Sequence, residues 1–179
     1  MNRFIPFMKS PPTVSVLRLQ GIIAAQARGG ALNDASLAGI LQKAFTKGKP
    51  DAVALSINSP GGSPTQSSLI ASRIRRLAEE KKVKTYAFVE DVAASGGYYI
   101  ASAADEIWVD RHSVIGSIGV ISAGFGFTEL IKRYGIERRV YTAGKSKSML
   151  DPFRPENPDD VKRLKALQEH IHAGFICLL

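Results

Sequence analysis

The 179-residue sequence is poor in the features that mark several large classes of protein. It has one cysteine, Cys177, so no intrachain disulfide can form and a reducing compartment is indicated. No apolar run reaches the ~18 residues of a membrane span. Residues 1–12 lack the apolar stretch of about 7–15 residues that a secretory signal contains. We therefore expect a cytoplasmic protein with no signal peptide or transmembrane helix, in which residues 1–12 form an N-terminal arm.

Negative charge is also in short supply. The chain has 24 Lys and Arg residues against 16 Asp and Glu residues, a formal net charge of +8. Such a charge can attract nucleic acid or anionic lipid. However, the basic residues are spread along the chain, and aromatic residues are not interleaved with them as a base-stacking surface requires. We expect no nucleic-acid partner, while a weak peripheral contact with a negatively charged membrane surface stays open.

What the sequence does contain is a regular alternation of strand and helix patterns. The hydrophobic spacing predicts strands within 13–19, 52–57, 85–89, 106–109, 113–121 and 136–141. It predicts a first helix capped by Asn33 or Asp34, and further helices over 67–81, over 94–104, over 128–134 and from Pro158 onward. In the last helix, Val161, Leu164 and Leu167 are expected to face inward. Alternating strands and helices favour an α/β fold. We expect one domain over residues 13–179.

The first candidate for chemistry is Ser95, in the segment 91–99 (DVAASGGYY). A predicted strand runs into small residues, the serine, two glycines and a helix. A serine there would lie on a tight turn at a helix N-terminus, where free backbone N–H groups stabilise negative charge. This arrangement is similar to a nucleophile elbow, although the G-x-S-x-G pattern is missing. The alternative interpretation is that Ser95 is simply the helix N-cap.

A second candidate is the turn 58–62 (NSPGG), which follows a predicted buried strand and could present N–H groups to an oxyanion. A base is harder to find, because none of the three histidines, His112, His170 and His172, adjoins a glycine-rich element. A lysine is the known alternative partner of a catalytic serine. The loop 143–149 offers Lys145 and Lys147, and composition cannot choose between them.

Four motifs taken together resemble one family. NSPGG at 58–62, ASGGYYIA at 94–101, IGSIGVI at 115–121 and GKSKSMLDPFRP at 144–155 occur in the order and spacing of the SppA-type signal peptide peptidases. These are serine peptidases with a Ser/Lys dyad. The resemblance implies a single-domain, ClpP/crotonase-like α/β spiral of repeated β-α-β units. It also implies that the domain is C-terminally truncated here, since relatives continue past the position of Leu179.

The resemblance assigns roles to particular residues. It makes Ser95 the nucleophile, Lys147 the general base and Ser117 the serine that holds the lysine nitrogen, with Lys145 as a neighbour. The N–H groups of Gly62 and Gly96 correspond to the oxyanion hole. No metal or cofactor is implied. The expected substrate-binding residues are mostly apolar and flank the nucleophile: Gly61, Ala93, Tyr98, Ile118 and Val120.

The function that this implies is endopeptidase activity on short apolar peptides, such as cleaved signal peptides, or on membrane-protein segments. Two alternatives stay open: a non-catalytic scaffold or inactive truncated member, and a crotonase-type acyl-CoA enzyme with Glu90 or Asp91 as acid/base. A homo-oligomer is also expected. Four apolar residues near the end of the chain, Phe175, Ile176, Leu178 and Leu179, span most of a helical turn, so one stripe cannot bury them all.

Overall fold

A computed structural model describes residues 11–26, 30–144 and 146–178. Lys145, Leu179 and nearly all of the predicted N-terminal arm lie outside the described residues. The chain divides into two compact units, the first comprising residues 1–118 with 178–179 and the second residues 119–177. The single domain expected over 13–179 stays a prediction.

The first unit is built on a parallel sheet of five strands. These are β1 (Val14–Gln20), β2 (Ala52–Ser59), β3 (Lys84–Ala94), β4 (Glu106–Val109) and β5 (Val114–Gly116). The order is β1-β2-β3-β4, and β5 pairs with the end of β3. Because parallel neighbours align their carboxyl ends, the turns after β2 and β3 meet at one edge of the sheet.

Three helices connect these strands: α1 (Asp34–Thr46), α2 (Pro64–Lys81) and α3 (Gly96–Ala101). Of the two predicted caps for α1, Asn33 is the one that forms: its side chain accepts a bond from the Ser36 N–H. The helices bury one face of the sheet, and each fully buried aliphatic side chain contributes about 1.5–3 kcal/mol. The core includes Leu19, Leu41, Phe45, Leu55, Ile57, Ile70, Ile74, Leu77 and Ile100. The predicted α/β fold of repeated β-α-β units is confirmed.

The second unit contains α4 (Thr128–Arg133) and α5 (Pro158–Ile176). The predicted strand over 136–141 is wrong. None of the described residues 119–177 forms a strand, and without a pairing partner an alternating pattern does not make one. The predicted inward stripe on α5 is wrong at Leu167, which is 54% exposed, whereas Val161 and Leu164 are half-buried. Among the described residues, no helix is both long and apolar enough to cross a membrane.

The apolar end of the chain is better covered than its sequence suggests. Phe175 is buried, and Leu178 packs against the core of the first unit, while Ile176 is half exposed. The exposure of Ile176 agrees with the expectation that one stripe cannot bury all four residues, and Leu179 lies outside the described residues. The homo-oligomer, which was inferred partly from this segment, stays a prediction.

Candidate active site

Ser95 lies at the junction between β3 and α3, in a backbone conformation that side chains rarely adopt. Its φ of 50° and ψ of −119° match the first central residue of a type II′ turn, a position that favours glycine. Such a conformation is strained in a serine by about 1–3 kcal/mol. Ser95 occupies the N-cap position of α3, yet its side chain makes no capping bond. The hydroxyl is half-buried and has no hydrogen-bond partner among the described residues.

Two glycines bring the turn after β2 directly against the Ser95 turn. A Cβ on Gly61 would lie 2.6 Å from both the Ala94 carbonyl oxygen and the Gly96 nitrogen. A Cβ on Gly97 would lie 2.4 Å from the Ser59 carbonyl oxygen. Both distances are shorter than real Cβ contacts, so the backbones approach this closely only because no side chain is present at either position.

The two expected oxyanion donors, the Gly62 N–H and the Gly96 N–H, make no hydrogen bond to the described residues. Gly96 begins α3, where the first N–H groups have no acceptor inside the helix. Gly62 is placed beside Ile23 by two bonds around it: Ile23 N–H to the Gly61 carbonyl, 2.9 Å, and Ser63 N–H to the Ile23 carbonyl, 2.8 Å. Free N–H groups of this kind are what an oxyanion hole requires, and that role for Gly62 and Gly96 stays a prediction.

The strand β5 connects Ser117 to the nucleophile. The Ser95 N–H donates to the Gly116 carbonyl at 2.7 Å, which continues the pairing of β5 with β3. Ser117 follows directly, exposed, with a φ of 53°. Its hydroxyl has no hydrogen-bond partner among the described residues. The structure thus brings Ser95, Ser117 and the two glycine turns together in the first unit.

The expected substrate-binding residues divide between the two units. Ala93 is fully buried, Tyr98 is half-buried, and Ile118 is 39% exposed, all in the first unit. Gly61 is buried against the Ser95 turn. Val120 is half-buried and belongs to the second unit. Their role in substrate binding stays a prediction.

Lys147 lies in the second unit, on an exposed turn. Its backbone N–H donates to the Gly144 carbonyl at 3.5 Å, and its side chain bonds to no described residue. The segment is anchored four residues later by Asp151, whose carboxylate is 3% exposed and pairs with Arg138 at 3.1 Å. A bond from the Phe153 N–H and the guanidinium of Arg138 lower the pKa of Asp151. The Ser/Lys dyad stays a prediction, and Lys145 lies outside the described residues.

The carboxylates near the site have partners. Glu90 accepts from Arg18 at 2.8 Å and from the Ser56 hydroxyl, and the Arg18 bond is the main reason why the pKa of Glu90 is lowered. Asp91 accepts from the Asn58 side chain at 2.8 Å. An acid/base in a crotonase-type reaction must exchange a proton near neutral pH. A carboxyl held ionised by arginine is poorly suited to that role.

The strand that leads to Ser95 is longer than its sequence pattern indicates. β3 was expected to end at Val89, but it continues to Ala94 through a change of register: Ile57 pairs with Val89, and Ser59 pairs with Ala93. Between these pairs β2 advances by two residues while β3 advances by four. Such an irregularity changes the direction of a strand near a functional site. The polar residues Glu90 and Asp91 interrupt the apolar pattern after Val89, so the pattern predicts that the strand ends there. A sequence signal for the continuation would have been the short apolar run 92–94 (VAA) that follows them.

The model of peptidase family S49 matches residues 77–178. The chain is 56% identical, over 98% of its length, to 24% of a Brucella melitensis protein named Na(+)/H(+) antiporter NhaA. It is 32% identical, over 90% of its length, to 23% of the chloroplastic serine protease SPPA of Arabidopsis thaliana. The chain therefore spans about a quarter of the length of these two relatives.

Among solved structures, a mutant of the 1510-N membrane-bound stomatin-specific protease superimposes with a TM-score of 0.49 at 19% sequence identity. The match covers 66% of this chain and 52% of that one.

Proposed function

This chain belongs to peptidase family S49, and from that premise we propose that it is a serine endopeptidase with Ser95 as nucleophile and Lys147 as general base. The resemblance to SppA-type peptidases is confirmed by the family match and by the name of the Arabidopsis relative. The observation that carries the proposal is the strained turn of Ser95, whose hydroxyl is committed to no other group among the described residues.

The proposed reaction needs only groups of the chain and water. Neutral Lys147 removes the proton from the Ser95 hydroxyl as Oγ bonds to the peptide carbonyl carbon. The carbonyl oxygen becomes an oxyanion. When it reforms the double bond, the C–N bond breaks and the amine leaves with the proton from Lys147. A water molecule then gives a proton to Lys147 as its oxygen bonds to the acyl-enzyme carbonyl carbon. When this intermediate collapses, the bond to Ser95 Oγ breaks and Lys147 returns the proton to Oγ, which restores the hydroxyl. The carboxylic acid product is released and loses its proton to water.

The free N–H groups of Gly62 and Gly96 support an oxyanion hole, in which each donor contributes about 2.7–4 kcal/mol to transition-state stabilisation. Ser117 is proposed to orient the amine of Lys147. Its support is the bond between the Ser95 N–H and the Gly116 carbonyl, which keeps Ser117 next to the nucleophile strand. A lysine base must be neutral to accept a proton, so its partners must hold the amine away from water.

The proposed substrates are short apolar peptides, such as cleaved signal peptides, or apolar segments of membrane proteins. Ile118, an apolar side chain that is 39% exposed two residues after Gly116, supports a preference for apolar side chains next to Ser95, whereas Ala93 is fully buried and offers no surface. We further propose that the protein forms a homo-oligomer, that it is cytoplasmic and that it makes a weak contact with anionic membrane surfaces. The net charge of +8 supports the last of these.

Three alanine variants and a fluorophosphonate probe test the proposal. The native protein should label with the probe and hydrolyse an apolar fluorogenic peptide. Ser95→Ala should abolish both activities, and Lys147→Ala should reduce both by about 10²-fold or more, as loss of a general base does. Lys145→Ala is the matched control, two residues from Lys147 and of the same type, and it should keep most of the activity.

Several results would contradict this assignment. An inactive Lys145→Ala variant beside an active Lys147→Ala variant would move the base to Lys145. Absence of probe labelling in the folded native protein would favour a non-catalytic scaffold. That alternative gains some support from the exposed position of Lys147. Labelling that survives Ser95→Ala would place the reactive serine elsewhere.

A further inference from the structure

Ser59 is a buried hydroxyl that touches the proposed oxyanion loop, residues 61–62, without belonging to it. Its side chain is buried at 1% exposure. The hydroxyl donates to the Gly21 carbonyl at 2.7 Å and accepts from the Gly61 N–H at 3.2 Å. One side chain thus joins the segment after β1 to the loop after β2. The hydroxyl thus both donates and accepts a hydrogen bond while it is shielded from solvent.

The backbone of Ser59 makes a second connection to the site. Ser59 pairs with Ala93 across the register change, two residues before the proposed nucleophile. Its carbonyl oxygen lies so close to Gly97 that a Cβ there would approach within 2.4 Å. Ser59 therefore contacts the Gly61 turn through its hydroxyl and the start of α3 through its carbonyl. The two proposed oxyanion donors, Gly62 and Gly96, each lie next to one of these contacts.

We propose that Ser59 is a positioning residue that sets the direction of the Gly62 N–H, an inference that rests on the proposed peptidase function. Gly61 and Gly62 have φ angles of 91° and 147°, which glycine adopts without steric restriction, so the loop needs an external restraint to hold one orientation. The Gly62 N–H shares a peptide plane with the Gly61 carbonyl, which the Ile23 N–H holds at 2.9 Å. The bond from the Gly61 N–H to the Ser59 hydroxyl fixes the peptide plane on the other side of Gly61, so the two bonds together orient the donor. The donor must be aimed to within a fraction of an ångström to stabilise an oxyanion.

The test compares Ser59→Ala with Thr85→Val in the full chain. Thr85 is fully buried, and its hydroxyl also donates one bond and accepts one, both with Asp105. It lies near the start of β3, about 30 Å along the strand from Ser95 at roughly 3.3 Å per residue. Each variant therefore loses one donated and one accepted hydrogen bond in the same sheet, and only Ser59→Ala loses them at the oxyanion loop.

Ser59→Ala should lower kcat for an apolar peptide by about 10- to 100-fold and leave KM within about twofold, because only the transition state uses the oxyanion hole. Phosphonylation by the fluorophosphonate should slow in parallel. Thr85→Val should show a similar fall in Tm with kcat within about twofold of native. If the kcat of Ser59→Ala matches that of Thr85→Val, Ser59 has only a structural role.

Hydrogen exchange at the Gly61 amide gives a measurement that does not need activity. Exchange should accelerate in Ser59→Ala and stay unchanged in Thr85→Val. Unchanged exchange in Ser59→Ala overturns the inference even if the peptidase proposal holds. Conversely, a native protein that does not label with the fluorophosphonate overturns the peptidase proposal, while the exchange rates still decide whether Ser59 restrains the loop.

Discussion

Replacing Ser95 with glycine should stabilise the protein although it removes the proposed nucleophile. The φ of 50° and ψ of −119° at this position are accessible to glycine without steric cost. The Ser95 hydroxyl has no hydrogen-bond partner among the described residues, so its removal breaks no bond there. The main change in the folded state is therefore the release of backbone strain.

The expected magnitude follows from two opposing effects. Relief of strain contributes about 1–3 kcal/mol to the free energy of unfolding. The greater freedom of glycine in the unfolded chain removes about 0.4–1 kcal/mol. The net stabilisation is about 1 kcal/mol, which raises Tm by about 2–4 °C in a chain of this length. Ser95→Ala is the matched control, because it also removes the hydroxyl but keeps the Cβ and the strain.

Thermal and urea-induced unfolding of the native protein and both variants measure this difference. Both variants should fail to label with a fluorophosphonate, so activity does not distinguish them and stability does. Ser95→Gly should unfold at a higher temperature and urea concentration than Ser95→Ala. A Ser95→Ala variant that is as stable as Ser95→Gly, or more so, would show that the turn is not strained and would refute the reasoning.

Two further predictions concern packing and pH. Gly97→Ala should destabilise the protein by about 1–3 kcal/mol, because the new Cβ would clash with the Ser59 carbonyl. Gly174→Ala is the control: no atom lies within 4 Å of its new Cβ, so it should stabilise α5 by about 0.5–1 kcal/mol. Equal shifts in Tm for the two variants would contradict this prediction. Hydrogen bonds from Arg73 lower the pKa of Asp34, so Asp34→Asn should destabilise the protein at pH 7 in urea unfolding. This difference should shrink below about pH 4; a pH-independent difference would count against the ion pair.

Local sequence signals predicted much of the first unit. The Asn33 cap, the apolar spacing of α1 and α2 and the short apolar β2 depend on neighbours in sequence, so their elements appear close to the expected bounds. The serine between small residues and a glycine pair also predicted a strand-to-helix turn at Ser95. The motifs that resemble SppA-type peptidases likewise depend only on residue order, and the family match confirms that resemblance.

Tertiary structure decided what depends on contacts between distant segments. The strand expected over 136–141 did not form, because alternation alone supplies no pairing partner. Conversely, β3 continued to Ala94 because β2 and β5 pair with it there, despite Glu90 and Asp91. The Ser59 hydroxyl is held by a hydrogen bond to the Gly21 carbonyl, 38 residues away. Sequence by itself determined the fold class, the family and which residues are candidates for chemistry. Only backbone pairing across the sheet decided which groups hold Ser95 and the glycine turns in place, since hydrogen bonds between distant segments leave no local pattern.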